Sequence, residues 1–218
     1  LGQTFPNENI GRYQYNGWDF NLNWQQQVGK DFSYFLSGNF NIQDSKVVDM
    51  DEVNQPFSWM RRTGQRVGQS FGYIADGLFQ SQAEINASAR LEGYVAQPGD
   101  IRYRDLNGDG LINQFDQTPI GRSKPLLFFG TTLGFQFKSF DFSALVQGAL
   151  NRTIYVAGNS EWAFQNNGLG QAWDNNLDRW TPSNPNATYP RLSIGANINN
   201  QAFSSYWMRS GNYIRLKI

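Results

Sequence analysis

Runs of about ten residues in which apolar and polar side chains alternate one by one constrain this chain more than any other feature. In residues 16–25, NGWDFNLNWQ, an extended backbone puts Trp18, Phe20, Leu22 and Trp24 on one face and Asp19, Asn21, Asn23 and Gln25 on the other. After the polar link QQVGK, residues 31–42 repeat the pattern. Phe32, Tyr34, Leu36, Phe40 and Ile42 oppose Asp31, Ser33, Ser37, Asn39 and Asn41, with Phe35 the one exception. The pair reads as a long hairpin.

A second hairpin follows. Phe129, Thr131, Leu133, Phe135 and Phe137 alternate with Gly130, Thr132, Gly134 and Gln136; the chain turns at KSFD; then Phe140, Phe142, Ala144, Val146 and Leu150 face away from Asp141, Ser143, Gln147 and Asn151. A last run, NYIRLKI, sets Tyr213, Arg215 and Lys217 against Ile214, Leu216 and Ile218. These patterns predict strands over about 11–25, 31–43, 127–138, 140–151 and 211–218, with long connections over about 44–126 and 152–210. Short turns alternating with long loops, between two-faced strands of about ten residues, describe an all-β fold of the outer-membrane barrel type. A soluble sandwich has shorter strands and more even connections. In a barrel the polar face lines the lumen and the aromatic face meets lipid, with Tyr13, Tyr15, Trp18 and Trp24 expected at the interfaces. Five strands leave two unpaired edges, so the rest of such a barrel is expected outside this sequence.

Composition narrows the function classes. Eighteen basic and eighteen acidic residues cancel, which gives no electrostatic case for a nucleic-acid partner. There is no His and no Cys, so imidazole-based triads, thiolate nucleophiles and zinc sites of the usual ligands are excluded. No apolar run approaches the roughly 20 residues of a membrane-spanning helix.

Residues 105–116, DLNGDGLINQFD, match the spacing of a twelve-residue calcium loop. Asp105, Asn107 and Asp109 supply side-chain oxygens, Gly110 permits the sharp turn, Leu111 offers its carbonyl, Asn113 holds the ninth place, and Asp116 closes the loop. Asp stands where Glu is usual at the last position. Ile112 is expected to pack inward, and a structural Ca2+ is expected to offset repulsion among the acidic groups. Pro119, Gly121 and Pro125 discourage the regular helix that follows an EF-hand loop. The same spacing as an Asx-rich turn with solvated carboxylates is the alternative.

Other features carry less. Gly64, Gly68 and Gly72 lack the Lys-Ser/Thr pair of a phosphate loop and read as loop flexibility. Trp162, Phe164, Trp173, Trp180 and Trp207 crowd the second long loop; Trp162, Trp173 and Trp180 are candidates to stack on a substrate, against a reading as loop core. The acidic pair Asp174 and Asp178 has no fixed separation that would make a glycosidase.

The segments NIGRYQYNGWDFNLNW, FGYIADGLFQSQAEI, GDIRYRDLNGDGLINQFDQTPIGRSKPLLFFG, FDFSALVQGAL, RWTPSNPNATYPRL and NYIRLKI resemble, in order, the C-terminal portion of the barrel of SusC/RagA-type TonB-dependent outer-membrane transporters. The resemblance implies part of a barrel of about 22 strands, a plug domain that these 218 residues do not include, and residence in the bacterial outer membrane. It also implies a SusD-like lipoprotein lid, uptake of oligosaccharides or peptides, coupling to TonB through a missing N-terminal region, and no catalysis. Residues 31–42 would then rise from a periplasmic turn, placing the 105–116 loop outside the cell. A calcium-stabilised β-rich module for adhesion or carbohydrate binding is the competing reading.

Overall fold

The computed structural model describes residues 9–217. Its frame is one five-stranded antiparallel sheet of Arg12–Val28, Phe32–Asp49, Leu127–Phe137, Phe140–Leu150 and Tyr213–Lys217. Neighbours in the chain are neighbours in the sheet, so the strands form a simple meander. The expected strands are all present; Ile218, placed in the last of them, lies outside the described residues. The first two strands run on to Val28 and Asp49, past the expected ends at 25 and 43, because their ladder continues without interruption from Val28↔Phe32 to Tyr13↔Val47.

The register keeps like with like. Trp18 faces Ile42, Phe20 faces Phe40 and Trp24 faces Leu36, and the same row continues through Phe40↔Phe129 and Leu36↔Leu133. On the other face Asp19 meets Asn41, Asn23 meets Ser37 and Ser33 meets Gln136. A shift of one residue would mix the two sets on both faces, so the alternation itself fixes the pairing. Phe35, the exception, has a reason: its ring lies over Gly134, where an added Cβ would stand 2.4 Å from Phe35 Cε1. Phe129 covers Gly148 in the same way on the apolar face, at 2.6 Å. Each glycine leaves room that an aromatic ring fills.

The apolar face is bare. Trp18, Phe20, Leu22 and Trp24 keep 55–69% of their surface exposed, far more contiguous aromatic area than a water-soluble surface carries. The expectation for Tyr13 and Tyr15 is corrected by parity. They pair with Val47 and Ser45, on the side of Asp19 and Asn21, so Trp18 and Trp24 alone of the four belong to the aromatic face.

The turns at residues 29–31 and 138–139 lie together at one end of the sheet, tied by the Lys138 N–H to the Asp31 carbonyl at 2.8 Å. Both long connections leave from the opposite end. They are not open coil. The first carries a short helix, Gln82–Ala87, N-capped by Ser81, and the small pairings Ala75–Leu78 with Ile101–Tyr103 and Arg90–Leu91 with Leu111–Ile112. The second contributes Thr153–Tyr155 paired with Met208–Ser210. Together they hold the main buried core among the described residues: Leu78, Ile101, Tyr103 and Ile112 from the first, Trp180 and Trp207 from the second. Among the described residues no helix is long and apolar enough to cross a membrane.

Candidate functional site

The 105–116 loop turns where glycine allows it: Gly108 and Gly110 take φ of 77° and 84°, in the left-handed region. The acidic side chains fold back onto the loop's own backbone. Asp105 accepts from Gly108 N–H at 2.6 Å and Gly110 N–H at 2.8 Å; Asp109 accepts from Leu111 N–H at 2.8 Å; Asn107 Oδ1 accepts from Asp109 N–H at 3.1 Å. Asp116 is fully buried and accepts from Leu106 N–H at 2.8 Å and Asn113 N–H at 2.9 Å, closing the loop over ten residues of sequence.

These contacts bear on the expectation of mutual repulsion. Each charge is met by backbone donors, so the loop keeps its shape through its own N–H groups. Among the described residues no three His, Cys, Asp or Glu side chains group as a metal cage. The donor set is nevertheless all oxygen, as a hard cation requires, and a carboxylate oxygen that accepts one N–H retains a lone pair. The residues fit Ca2+ in kind: Asp105, Asn107 and Asp109 at the tip, the Leu111 carbonyl beside them, and Asn113 with Asp116 at the closing end.

The loop is braced on two sides. Ile112 is fully buried in the joint core, as its inward position in the motif predicts, and the pairing of Leu111–Ile112 with Arg90–Leu91 holds it there. At its far end Trp59 Nε1 donates to the Phe115 carbonyl at 2.8 Å, with Phe57 stacked on Trp59 at 4.6 Å between centroids.

The tryptophans separate. Trp180 is 9% exposed, sits in the core against Gly99 and donates from Nε1 to Gln80 Oε1 at 2.9 Å, so its faces are not open to a ligand. Trp162 packs edge-on to Trp207 at 6.0 Å and lines a cavity of only about 40 Å³ within the second loop. Trp173 alone keeps a half-open face, 47% exposed, with Nε1 anchored on the Asn159 carbonyl at 2.9 Å. The three do not form one stacking platform.

The composition gave no hint of a buried polar junction between the loops. Asp100, fully buried, accepts at Oδ1 from Arg191 Nε (2.7 Å) and Asn200 Nδ2 (2.9 Å), and at Oδ2 from Tyr94 OH (2.9 Å) and Gln97 N–H (2.8 Å). Tyr103 OH donates to the Asn199 carbonyl at 2.6 Å, and burial pushes this phenol far above its ordinary pKa, so it stays a donor at any physiological pH. Asn197, Asn199 and Asn200 lie in a polar stretch, NINN, that reads as solvent-facing until its partners in the other loop are known.

No protein-family model matches the chain. Curated relatives do. TonB-dependent receptor P26 of Formosa agariphila is 31% identical over 220 residues, covering 96% of this chain and 22% of the relative. TonB-dependent receptor SusC of Bacteroides thetaiotaomicron is 23% identical over 216 residues, covering 95% and 20%. The solved structure of the RagAB peptide transporter superposes with a TM-score of 0.67 at 17% identity, over 96% of this chain and 23% of that one, and so shares the fold. The chain spans about a fifth of the length of the curated relatives it matches.

Proposed function

Since the chain is similar over nearly its whole length to TonB-dependent receptors of the SusC/RagA type, we propose that it is part of the barrel and outer loops of an outer-membrane nutrient importer. The carrying observation is the two-faced sheet: an uninterrupted apolar face with Trp18, Phe20, Leu22 and Trp24 bare, backed by a face of Asp, Asn, Ser and Gln. A membrane supplies the first face with its solvent, and a hydrated lumen the second. The free edges at Arg12–Val28 and Tyr213–Lys217 are met by further strands of the same barrel.

In this reading the loop unit stands outside the cell and helps form the mouth through which oligosaccharides or peptides pass. A SusD-like lipoprotein caps it, and TonB supplies the energy through the plug. The residues are assigned to shape and transit rather than catalysis. The 105–116 loop binds Ca2+ through Asp105, Asn107, Asp109, the Leu111 carbonyl, Asn113 and Asp116. The ion adds a cross-link to a loop already held by its own hydrogen bonds, and extracellular loops of this kind take the ion weakly enough to need millimolar concentrations.

Limited proteolysis of the membrane-inserted transporter, with calcium and with chelator, tests the site. Cleavage within residues 100–122 is expected to accelerate on chelation, and Asp109→Ala to cleave fast in both conditions while the barrel stays inserted. Identical cleavage with and without chelator would remove calcium from the account. Failure of the full-length protein to insert would remove the importer as well.

A further inference from the structure

The second strand has a gap in its ladder near the end from which the long loops leave. Resting on the importer reading, we propose that this gap binds the carboxylate of a uronic acid unit in the transported oligosaccharide, with Arg122 and Lys124 as its cationic partners.

Strand Phe32–Asp49 outruns its neighbour Leu127–Phe137 and pairs with it only as far as Ile42 and Leu127. Past that point the loops take over the edge: Gln43 N–H donates to the Leu126 carbonyl at 2.9 Å and Val47 N–H to the Gln65 carbonyl at 2.8 Å. Ser45, midway between them, turns its N–H to the same edge, but it donates to Asp44 Oδ1 at 2.9 Å instead of to another segment's backbone. A cavity of about 110 Å³ lies at this skipped rung. Tyr15, Gln43 and Ser45, which line it, belong to the polar face by their pairing, while Asp44 has the parity of Ile42. The cavity thus lies across the edge of the wall and meets the lumen side beside Tyr15, which is 66% exposed.

Its charges do not balance. Arg66, Arg122 and Lys124 line it with Asp44 as the one carboxylate. Arg66 takes both oxygens of Asp44, from Nε at 2.7 Å and Nη2 at 3.3 Å. Arg122 is left 3.6 Å from Oδ1, beyond a hydrogen bond, although its side chain is only 14% exposed. Among the described residues Arg122 makes hydrogen bonds through its backbone alone: its N–H donates to Thr153 Oγ1, and its carbonyl accepts from Thr153 N–H at 2.7 Å. The backbone is therefore fixed while the guanidinium keeps its donors. A charge so enclosed and so little paired calls for a second anion, and the planar fork selects a carboxylate. Exposed Lys124 adds charge beside it, with no ion-pair partner among the described residues. The surroundings match a sugar bearing that group. Gln43 and Ser123, whose side chains make no hydrogen bond among the described residues, are available to hydroxyls, and Tyr15 offers an open ring beside them. An acidic peptide would bring amides as well, and the Ser45 N–H that would meet them is occupied.

The test is calorimetric titration of the full-length transporter in mild detergent with trigalacturonate and with its methyl ester, the same sugar chain without charge. Barrel assembly is followed separately by heat-modifiable mobility in gels. The acid is expected to bind about tenfold tighter than the ester and to weaken as salt is raised. Arg122→Gln is expected to erase that preference, and Arg122→Lys, which keeps the charge without the fork, to restore only part of it. Lys124→Gln alters an exposed side chain and guards against misfolding of the Arg122 variants; it is expected to weaken acid binding about threefold and leave the ester unchanged. Asp44→Asn removes the competing carboxylate and is expected to strengthen acid binding.

Equal affinity for acid and ester in the wild type, or an unchanged preference in both Arg122→Gln and Lys124→Gln, would overturn the proposal. So would acetate competing at the concentration of the trisaccharide, which marks a plain anion site, and triglutamate binding as tightly, which marks a peptide site. An assembled transporter indifferent to the charge sinks this inference only, whereas a wild-type chain that never assembles sinks the importer reading beneath it.

Discussion

Asp100 sits at zero exposure with each carboxylate oxygen accepting two hydrogen bonds, from Arg191, Asn200, Tyr94 and Gln97. Arg191 and Asn200 come from the second loop and Tyr94 and Gln97 from the first, so one side chain joins segments about ninety residues apart. A buried charge so fully paired contributes little net stability, but removing it strands its partners. Asp100→Ala is therefore expected to cost the loop unit about 3–5 kcal/mol, the range for breaking a buried ion pair; Arg191 retains 22% exposure and recovers some water, which favours the lower end. Hydrogen exchange of residues 94–103 and 197–200 in the full-length protein measures it, and unchanged protection in both segments would refute the role. Asp116 is its counterpart within one loop, spending its oxygens on Leu106 and Asn113 N–H.

At the scale of elements, Glu52 clips the segment after the second strand. Its Oε1 and Oε2 accept from Arg62 N–H at 2.6 Å and Thr63 N–H at 2.9 Å. The slight burial of this carboxyl acts to raise its pKa, but the two N–H donors outweigh it and hold the pKa below the ordinary glutamate value. A lowered folded-state pKa means the clip's contribution is complete above the ordinary value and fades as pH falls through the lowered one. Cleavage within residues 50–63 is thus expected to rise on acidification below the carboxylate range, and Glu52→Gln to flatten that dependence. A pH profile that Glu52→Gln leaves unchanged would rule the clip out. The contrast with the strands shows what could be read in advance. Period-two alternation is local, so Trp18 through Trp24 announced a two-faced strand without knowledge of any partner. Gly108, Gly110 and the Asx residues of the 105–116 loop are equally local, and Ile112 went inward as its place in the motif required. Asp100, Asn199 and Trp180 find their partners across about a hundred residues of sequence, and no spacing rule encodes that. The polar composition of the loops concealed a core because its polar members, such as Asn199 and Asn200, are buried with their hydrogen bonds satisfied inside.

Across the whole molecule, the sheet and the loop unit rest on different physics. The sheet's apolar face is stabilised only by what lies outside it, while the loop unit buries its own core of Leu78, Ile101, Tyr103, Ile112, Trp180 and Trp207. Because that core draws on both connections, the two loops should open together or not at all. Trp207 is the residue to test. It is 1% exposed, donates from Nε1 to the Asn200 carbonyl at 2.7 Å, and meets Trp162 and Tyr206 edge-on. Truncating a buried aromatic of this size costs about 3–5 kcal/mol. If the loops are one body, Trp207→Ala will strip exchange protection from residues 101–112 of the first loop as far as it does from residues 155–163 of the second, with the strands 32–49 and 127–137 unchanged. If only the second loop loosens, the shared core is a contact rather than a joint, and the two loops are independent flaps instead of one surface. That difference decides whether a displacement of one loop can be felt by the other, since sites couple only through an element that both can shift.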